Sequence, residues 1–121
     1  MKARILIVED NALIAIDLAQ ALEAAGFEVM GPAMTSAQAL ALLKERGCNA
    51  AVVDINLRGE TSEAVAVELS ARRIPFVTMT GYALAQQPGA FDGVPAFAKP
   101  VAPQIIIDGL RRCLGPAYAA G

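Results

Sequence analysis

Three acids, a threonine and a lysine carry the chemistry that this sequence offers. Glu9-Asp10 follow the apolar run Ile5-Leu6-Ile7-Val8, and Asp54 closes the run Ala51-Val52-Val53. Thr80 follows Phe76-Val77-Thr78-Met79, and Lys99 follows Val94-Pro95-Ala96-Phe97-Ala98. A carboxylate can act as a nucleophile toward phosphorus and form an aspartyl phosphate. In such a transfer the protein mainly positions groups and neutralises charge. Two carboxylates about 4 Å apart repel by roughly 4 kcal/mol at an effective dielectric of 20, so clustered acids call for a cation. Mg²⁺ suits the need, because it takes oxygen ligands in an octahedron and keeps several waters. Asp10 and Asp54 are the expected direct ligands. Glu9 is expected to act directly or through water, and the Asn56 backbone carbonyl completes the set. Lys99 and the Thr80 hydroxyl would share the phosphoryl oxygens with the metal.

Each residue alone has a plainer explanation. An acid after a strand can simply cap a helix, Thr80-Gly81 can be a turn, and Lys99-Pro100 a solvated lysine before a helix. The chemistry requires that all of them meet on one rim, and that depends on the elements that hold them. Short continuous apolar runs mark strands covered on both faces. Between them lie helical stretches with start and stop signals. Asn11 can cap a helix carrying an Ile14, Leu18, Leu22, Ala25 stripe, which Gly26 ends. Thr35-Ser36-Ala37-Gln38 has the form of a capping box, followed by Leu40 and Leu43. Val65 and Leu69 point inward from a third helix. Pro88, Gly89 and Gly93 leave the fourth short or irregular, and Pro103 opens a fifth that runs to Leu114. Ile105, Ile106 and Ile107 are consecutive and span about 200° of that helix, so one core-facing stripe cannot bury all three.

Five strands alternating with five helices imply a parallel, doubly wound α/β sheet. Proline supplies the strand order. Pro32 and Pro95 fall in the second and fifth strands, and proline inside a strand belongs to edges or bulges. The order 2-1-3-4-5 follows, as in flavodoxin-like folds, where ligands bind beyond the carboxyl ends of the strands at the switch point between strands one and three. Glu9, Asp10 and Asp54 stand at that point.

Composition narrows the alternatives. The chain has 121 residues, a net charge of −2, 55% hydrophobic residues and no histidine. Histidine-based metal sites, triads and acid–base catalysis are excluded. No basic run points to nucleic acid, and no stretch approaches the roughly 20 apolar residues of a membrane helix. Cys48 and Cys113 match no metal spacing and read as structural thiols. The N-terminal apolar run is too short for a signal peptide, which leads to the expectation of a cytoplasmic protein.

The pieces Ile7-Val8-Glu9-Asp10, Val53-Asp54-Ile55-Asn56-Leu57, Thr80-Gly81 and Ala98-Lys99-Pro100 together resemble the receiver domain of two-component response regulators, over nearly the whole chain. That resemblance implies that Asp54 is the phosphoacceptor, Glu9 and Asp10 belong to the acid pocket, Thr80 is the switch hydroxyl and Lys99 contacts the phosphate. It implies a sensor histidine kinase or a histidine phosphotransfer protein as donor. Residues 1–121 would form a single receiver domain without an output domain, signalling by contact with a downstream protein or by phosphate relay. Pro75 to Tyr82 is similar in part to a subgroup of stand-alone receivers with a Phe-Ala-Thr-Gly motif followed by an aromatic. Two departures stand out. The aromatic that receivers place three residues before the lysine is Ala96 here, which makes Tyr82 the candidate switch residue. Arg58 occupies a position where many receivers have proline. A monomer, or a weak homodimer through the last helix and strand five, is expected.

Other assignments of the same fold fit less well. A phosphatase of the haloacid dehalogenase type normally has a second aspartate two residues after the nucleophile, as general acid, and this chain has Asn56. A flavin-binding protein would need a Ser/Thr/Gly-rich loop where Glu9-Asp10-Asn11 stands. A degenerate receiver that serves only as a docking module would not need Asp54 and Lys99.

Overall fold

Residues that alternate between two helical layers build the sheet. The computed structural model describes residues 2–81 and 89–115. In chain order the elements are β1 (Arg4–Val8), α1 (Ala12–Ala24), β2 (Glu28–Ala33), α2 (Ser36–Glu45), β3 (Ala50–Asp54), β4 (Asn56–Leu57), β5 (Glu60–Thr61), α3 (Glu63–Ala71), β6 (Phe76–Thr80), a 3₁₀ turn (Gly89–Phe91), β7 (Ala96–Ala98) and α4 (Pro103–Leu114). The main sheet is parallel with the order β2-β1-β3-β6-β7. Counting only its own strands, this is the expected 2-1-3-4-5. Strand alternation divides the core into two layers. Leu6, Val8, Ala51 and Val53 face Ala39 and Leu43 of α2 and Val65, Ala66 and Leu69 of α3. Ile5, Ile7, Ala50 and Val52 face Leu18 and Leu22 of α1 and Ile106, Ile107 and Leu110 of α4.

The helix signals act as local chemistry requires. Asn11 Oδ1 accepts from the backbone N–H groups of Leu13 and Ile14 at 3.0 and 3.2 Å. Thr35 Oγ1 accepts from Gln38 N at 3.1 Å, while Gln38 Oε1 reaches one residue further back, to Met34 N at 2.8 Å. Gly26 takes a φ of 95°, the left-handed turn that ends α1. Among the consecutive isoleucines, Ile106 and Ile107 are buried and Ile105 is exposed.

Several expectations need correction. The inward stripe of α1 is Ala15, Leu18 and Leu22; Ile14 stays partly exposed beside Asp17 and Lys99. Four α-helices occur among the described residues against the five expected; the fourth, expected short or irregular, shows there as the turn Gly89–Phe91, and residues 82–88 of that segment lie outside the described residues. A small antiparallel hairpin, β4–β5, occupies what reads in sequence as a plain loop. Strand β7 begins at Ala96, so Pro95 precedes it; the Pro95 carbonyl accepts from Thr78 N at 2.9 Å and from Thr78 Oγ1 at 3.1 Å. Pro32 does lie inside an edge strand, at a register shift of β2 against β1 between Leu6 and Val8. Gly31 makes that shift possible. Its φ is 96°, and a Cβ there would stand 2.7 Å from Ala33 N. Beyond the shift, Glu9 N donates to Ala33 O at 2.9 Å, which carries the pairing with β2 one residue past Val8, the end of β1, and fixes the first acid.

Candidate functional site

Asp54 is the last residue of β3, and the chain turns sharply after it. Ile55 N still reaches across to Met79 O at 3.0 Å, so the turn begins with the sheet in register. Asn56 N then donates to Asp54 Oδ1 at 3.1 Å. The other carboxylate oxygen, Oδ2, lies 2.7 Å from Lys99 Nζ. Lys99 is held by its backbone, since Lys99 N donates to Thr80 O at 2.9 Å at the ends of β7 and β6. The same ammonium lies 2.7 Å from Glu9 Oε1, as an ionic contact off the hydrogen-bonding direction. Lys99 therefore bridges the acid after β1 and the acid ending β3.

Glu9 and Asp54 are both buried, and Lys99 is only partly exposed. Burial, reinforced by the Asp54 carboxylate, pushes the Glu9 carboxyl up to about 7, against the pull of Lys99 and of the Asn11 N–H on Oε2 at 3.2 Å. Burial also pulls down on the Lys99 ammonium, but Asp54 and Glu9 outweigh it and hold the group above its usual value. Asp10 is handled differently. Its Oδ2 accepts from Arg58 N at 2.7 Å, and the Arg58 side chain lies 3.9 Å away. The position that departs from the receiver pattern thus supplies a backbone donor that proline lacks.

Glu9, Asp10 and Asp54 each offer a carboxylate oxygen within 4.8 Å of the others. Three hard oxygen donors, one of them a buried Glu9 Oε1 without a directed hydrogen bond, fit a divalent cation such as Mg²⁺. Thr80 ends β6 buried, one residue past the Met79 that pairs with Asp54. The residues singled out in sequence, Glu9, Asp10, Asp54, Asn56, Thr80 and Lys99, thus share one rim of the sheet. Ala96 lies elsewhere, paired with Thr78. Phe97 is turned into the α1/α4 layer, where a Cβ on Gly109 would come within 3.1 Å of its ring. Tyr82 lies outside the described residues.

Two supporting residues had no signal that sequence reading could have separated from loop chemistry, and Arg58, which stood out in sequence only as a departure from proline, gave no hint of its bond to Asp10. Glu60 Oε1 accepts from Ser36 N at 2.8 Å and ties the hairpin to the start of α2. Ser62 Oγ donates to Asp54 O at 2.7 Å. Cys48 and Cys113 are free and half-buried, and burial pushes the Cys48 thiol up to about 11, leaving little thiolate near neutrality.

The model of the response regulator receiver domain matches residues 5–110. The chain belongs to that family. Receiver domains are signalling modules, and the solved structures that this one resembles share its fold. A CheY-like receiver domain protein from Methanospirillum hungatei JF-1 superposes with a TM-score of 0.86 at 27% identity, covering 100% of both chains. SdrG from Sphingomonas melonis Fr1 is 40% identical, with a TM-score of 0.75 over 93% of each chain. The transcriptional regulatory protein PdtaR of Mycobacterium tuberculosis is 32% identical over 80 residues, or 65% of this chain. The match spans only 39% of that relative's length. No helix among the described residues is long and apolar enough to cross a membrane.

Proposed function

We propose that this receiver takes a phosphoryl group on Asp54 and passes the signal on by protein contact or by relay of the phosphate. One observation carries the reading. Asp54 ends the central strand with one carboxylate oxygen 2.7 Å from Lys99, inside a cluster of three acids. The donor would be a phosphohistidine on a sensor kinase or phosphotransfer protein, the partners that membership of the family implies. In the transfer, an Asp54 oxygen attacks phosphorus and the P–N bond breaks. The electron pair leaves with the imidazole, which takes up a proton. Lys99 moves its charge from the Asp54 carboxylate to a phosphoryl oxygen, and the Thr80 hydroxyl donates to another. Bound at Glu9, Asp10, Asp54 and the Asn56 carbonyl, Mg²⁺ would neutralise charge on the transferring group. Asn56, two residues past the nucleophile, supplies no general acid or base, which favours a lasting acyl phosphate.

The test is direct. Acetyl phosphate with Mg²⁺ should add one phosphoryl mass to the protein, and chelation should suppress the addition. Asp54→Ala should abolish it. Equal labelling of the Asp54→Ala protein would reject the assignment.

A further inference from the structure

Ser62 stands where a serine usually caps a helix, immediately before α3, yet its side chain makes no cap hydrogen bond. An N-cap serine ordinarily accepts from the helix's own N–H groups. Here the hydroxyl is turned the other way. It is fully buried and donates to Asp54 O at 2.7 Å, with Ile55 O at 3.2 Å. Ser62 N also donates to Ile55 O, at 2.9 Å. The paired residues of β1 and β3 end at Val8 and Val53, so the Asp54 carbonyl lies just past the ladder.

We propose that Ser62 is a positioning residue for phosphoryl transfer, whose hydroxyl fixes the backbone carbonyl of Asp54 and thereby the direction of its carboxylate. The proposal rests on Asp54 being the phosphoacceptor. The turn Asp54-Ile55-Asn56 is held from three sides: Ile55 N on Met79 O, Asn56 N on Asp54 Oδ1, and Ser62 on the two carbonyls. Removing the hydroxyl leaves a buried carbonyl without its donor. The cheapest remedy is rotation of the Asp54–Ile55 peptide toward another donor, since a buried unpaired acceptor is costly. That rotation swings the carboxylate away from Lys99. Small displacements of a reacting group carry large rate penalties. Ser62 touches neither the phosphoryl group nor the donor, so it acts only through Asp54.

The experiment compares wild type, Ser62→Ala and Val65→Ala in acetyl phosphate phosphorylation at saturating Mg²⁺, with donor concentration varied. Val65 is buried on α3 and its truncation supplies a stability loss without touching the turn. Thermal melts verify that each protein is folded at the assay temperature. Ser62→Gly replaces Ser62→Ala if the latter does not fold. The expected result is a fall of about 10-fold in maximal rate for the Ser62 variant, with half-saturating donor concentration nearly unchanged. Val65→Ala should stay within about twofold of wild type. A Ser62 variant whose maximal rate matches that of Val65→Ala would overturn the positioning role and leave Asp54 as acceptor. Wild type that takes up no phosphoryl group would overturn the acceptor reading and this inference with it.

Discussion

Replacing Glu9 with glutamine should stabilise the metal-free protein at pH 8 and change it little at pH 4.5. Glu9 is fully buried, and burial with Asp54 beside it raises its carboxyl from 4.5 to about 7. Between those values the folded protein keeps a proton that the unfolded chain has lost. Stability of the metal-free wild type therefore falls as pH rises through that window and levels off above about 7. A rise from 4.5 to about 7, at roughly 1.4 kcal/mol per pK unit, sets a ceiling of about 3.5 kcal/mol on the cost of the ionised side chain. Glutamine keeps the shape without the charge. It also removes one of the two carboxylate partners of Lys99, which lowers that ammonium's advantage and takes back part of the gain. The expected net gain at pH 8 is about 1–2 kcal/mol. The assay is urea unfolding in EDTA followed by far-UV circular dichroism, because the chain has no tryptophan. Measurements from pH 4.5 to 8.5 should show the two proteins diverging through the window. Added Mg²⁺ should stabilise wild type more than the variant, since ligand binding to the folded state adds RT ln(1 + [L]/Kd). A Glu9→Gln protein equally or less stable than wild type at pH 8, or a gain that does not vary with pH, would refute the claim that Glu9 is the strained acid.

Three further outcomes follow from the same geometry. Lys99→Ala should destabilise the metal-free protein at pH 8 by about 2–3 kcal/mol, the low end for a broken buried pair because Lys99 is partly exposed. The added Glu9→Gln change should recover part of the loss, and additivity in that double-mutant cycle would argue against the bridge. Asp10→Asn should leave metal-free stability within about 1 kcal/mol, because a carboxamide oxygen still accepts from Arg58 N, while Mg²⁺ affinity by titration calorimetry drops at least about 10-fold; an unchanged affinity would remove Asp10 from the ligand set. Ile106→Ala should cost about 2–4 kcal/mol and Ile105→Ala within about 0.5 kcal/mol, read from denaturant midpoints, since only the first is buried.

The sequence determined the fold class and most of the rim. Buried parallel strands must be continuous apolar runs, so β1, β3 and β6 announce themselves, and the residues that end such runs must stand at the sheet's carboxyl edge. Pro32 cannot enter a central ladder and does lie in the edge strand β2, while Pro95 only precedes β7, so the proline argument holds for one edge; the resulting order puts Glu9-Asp10 beside Asp54. Caps at Asn11 and Thr35 are local hydrogen bonds and were legible for the same reason. The α1 face differs from the expected stripe by one residue, because period alone makes Ile14 and Ala15 neighbouring choices and only tertiary packing decides which is covered. Which acid bears the strain was not legible at all. Glu9 and Asp10 are adjacent in sequence, yet the register shift at Gly31-Pro32 extends pairing to Glu9 and buries it, while Asp10 turns outward to Arg58. The Lys99 bridge and the reversed Ser62 hydroxyl join groups 45 and 8 residues apart. Such contacts depend on strand register and on the course of the β3–α3 connection. No local pattern of residue types encodes either, because side-chain identity fixes what a group can donate or accept, and only packing decides which partner lies within 3 Å.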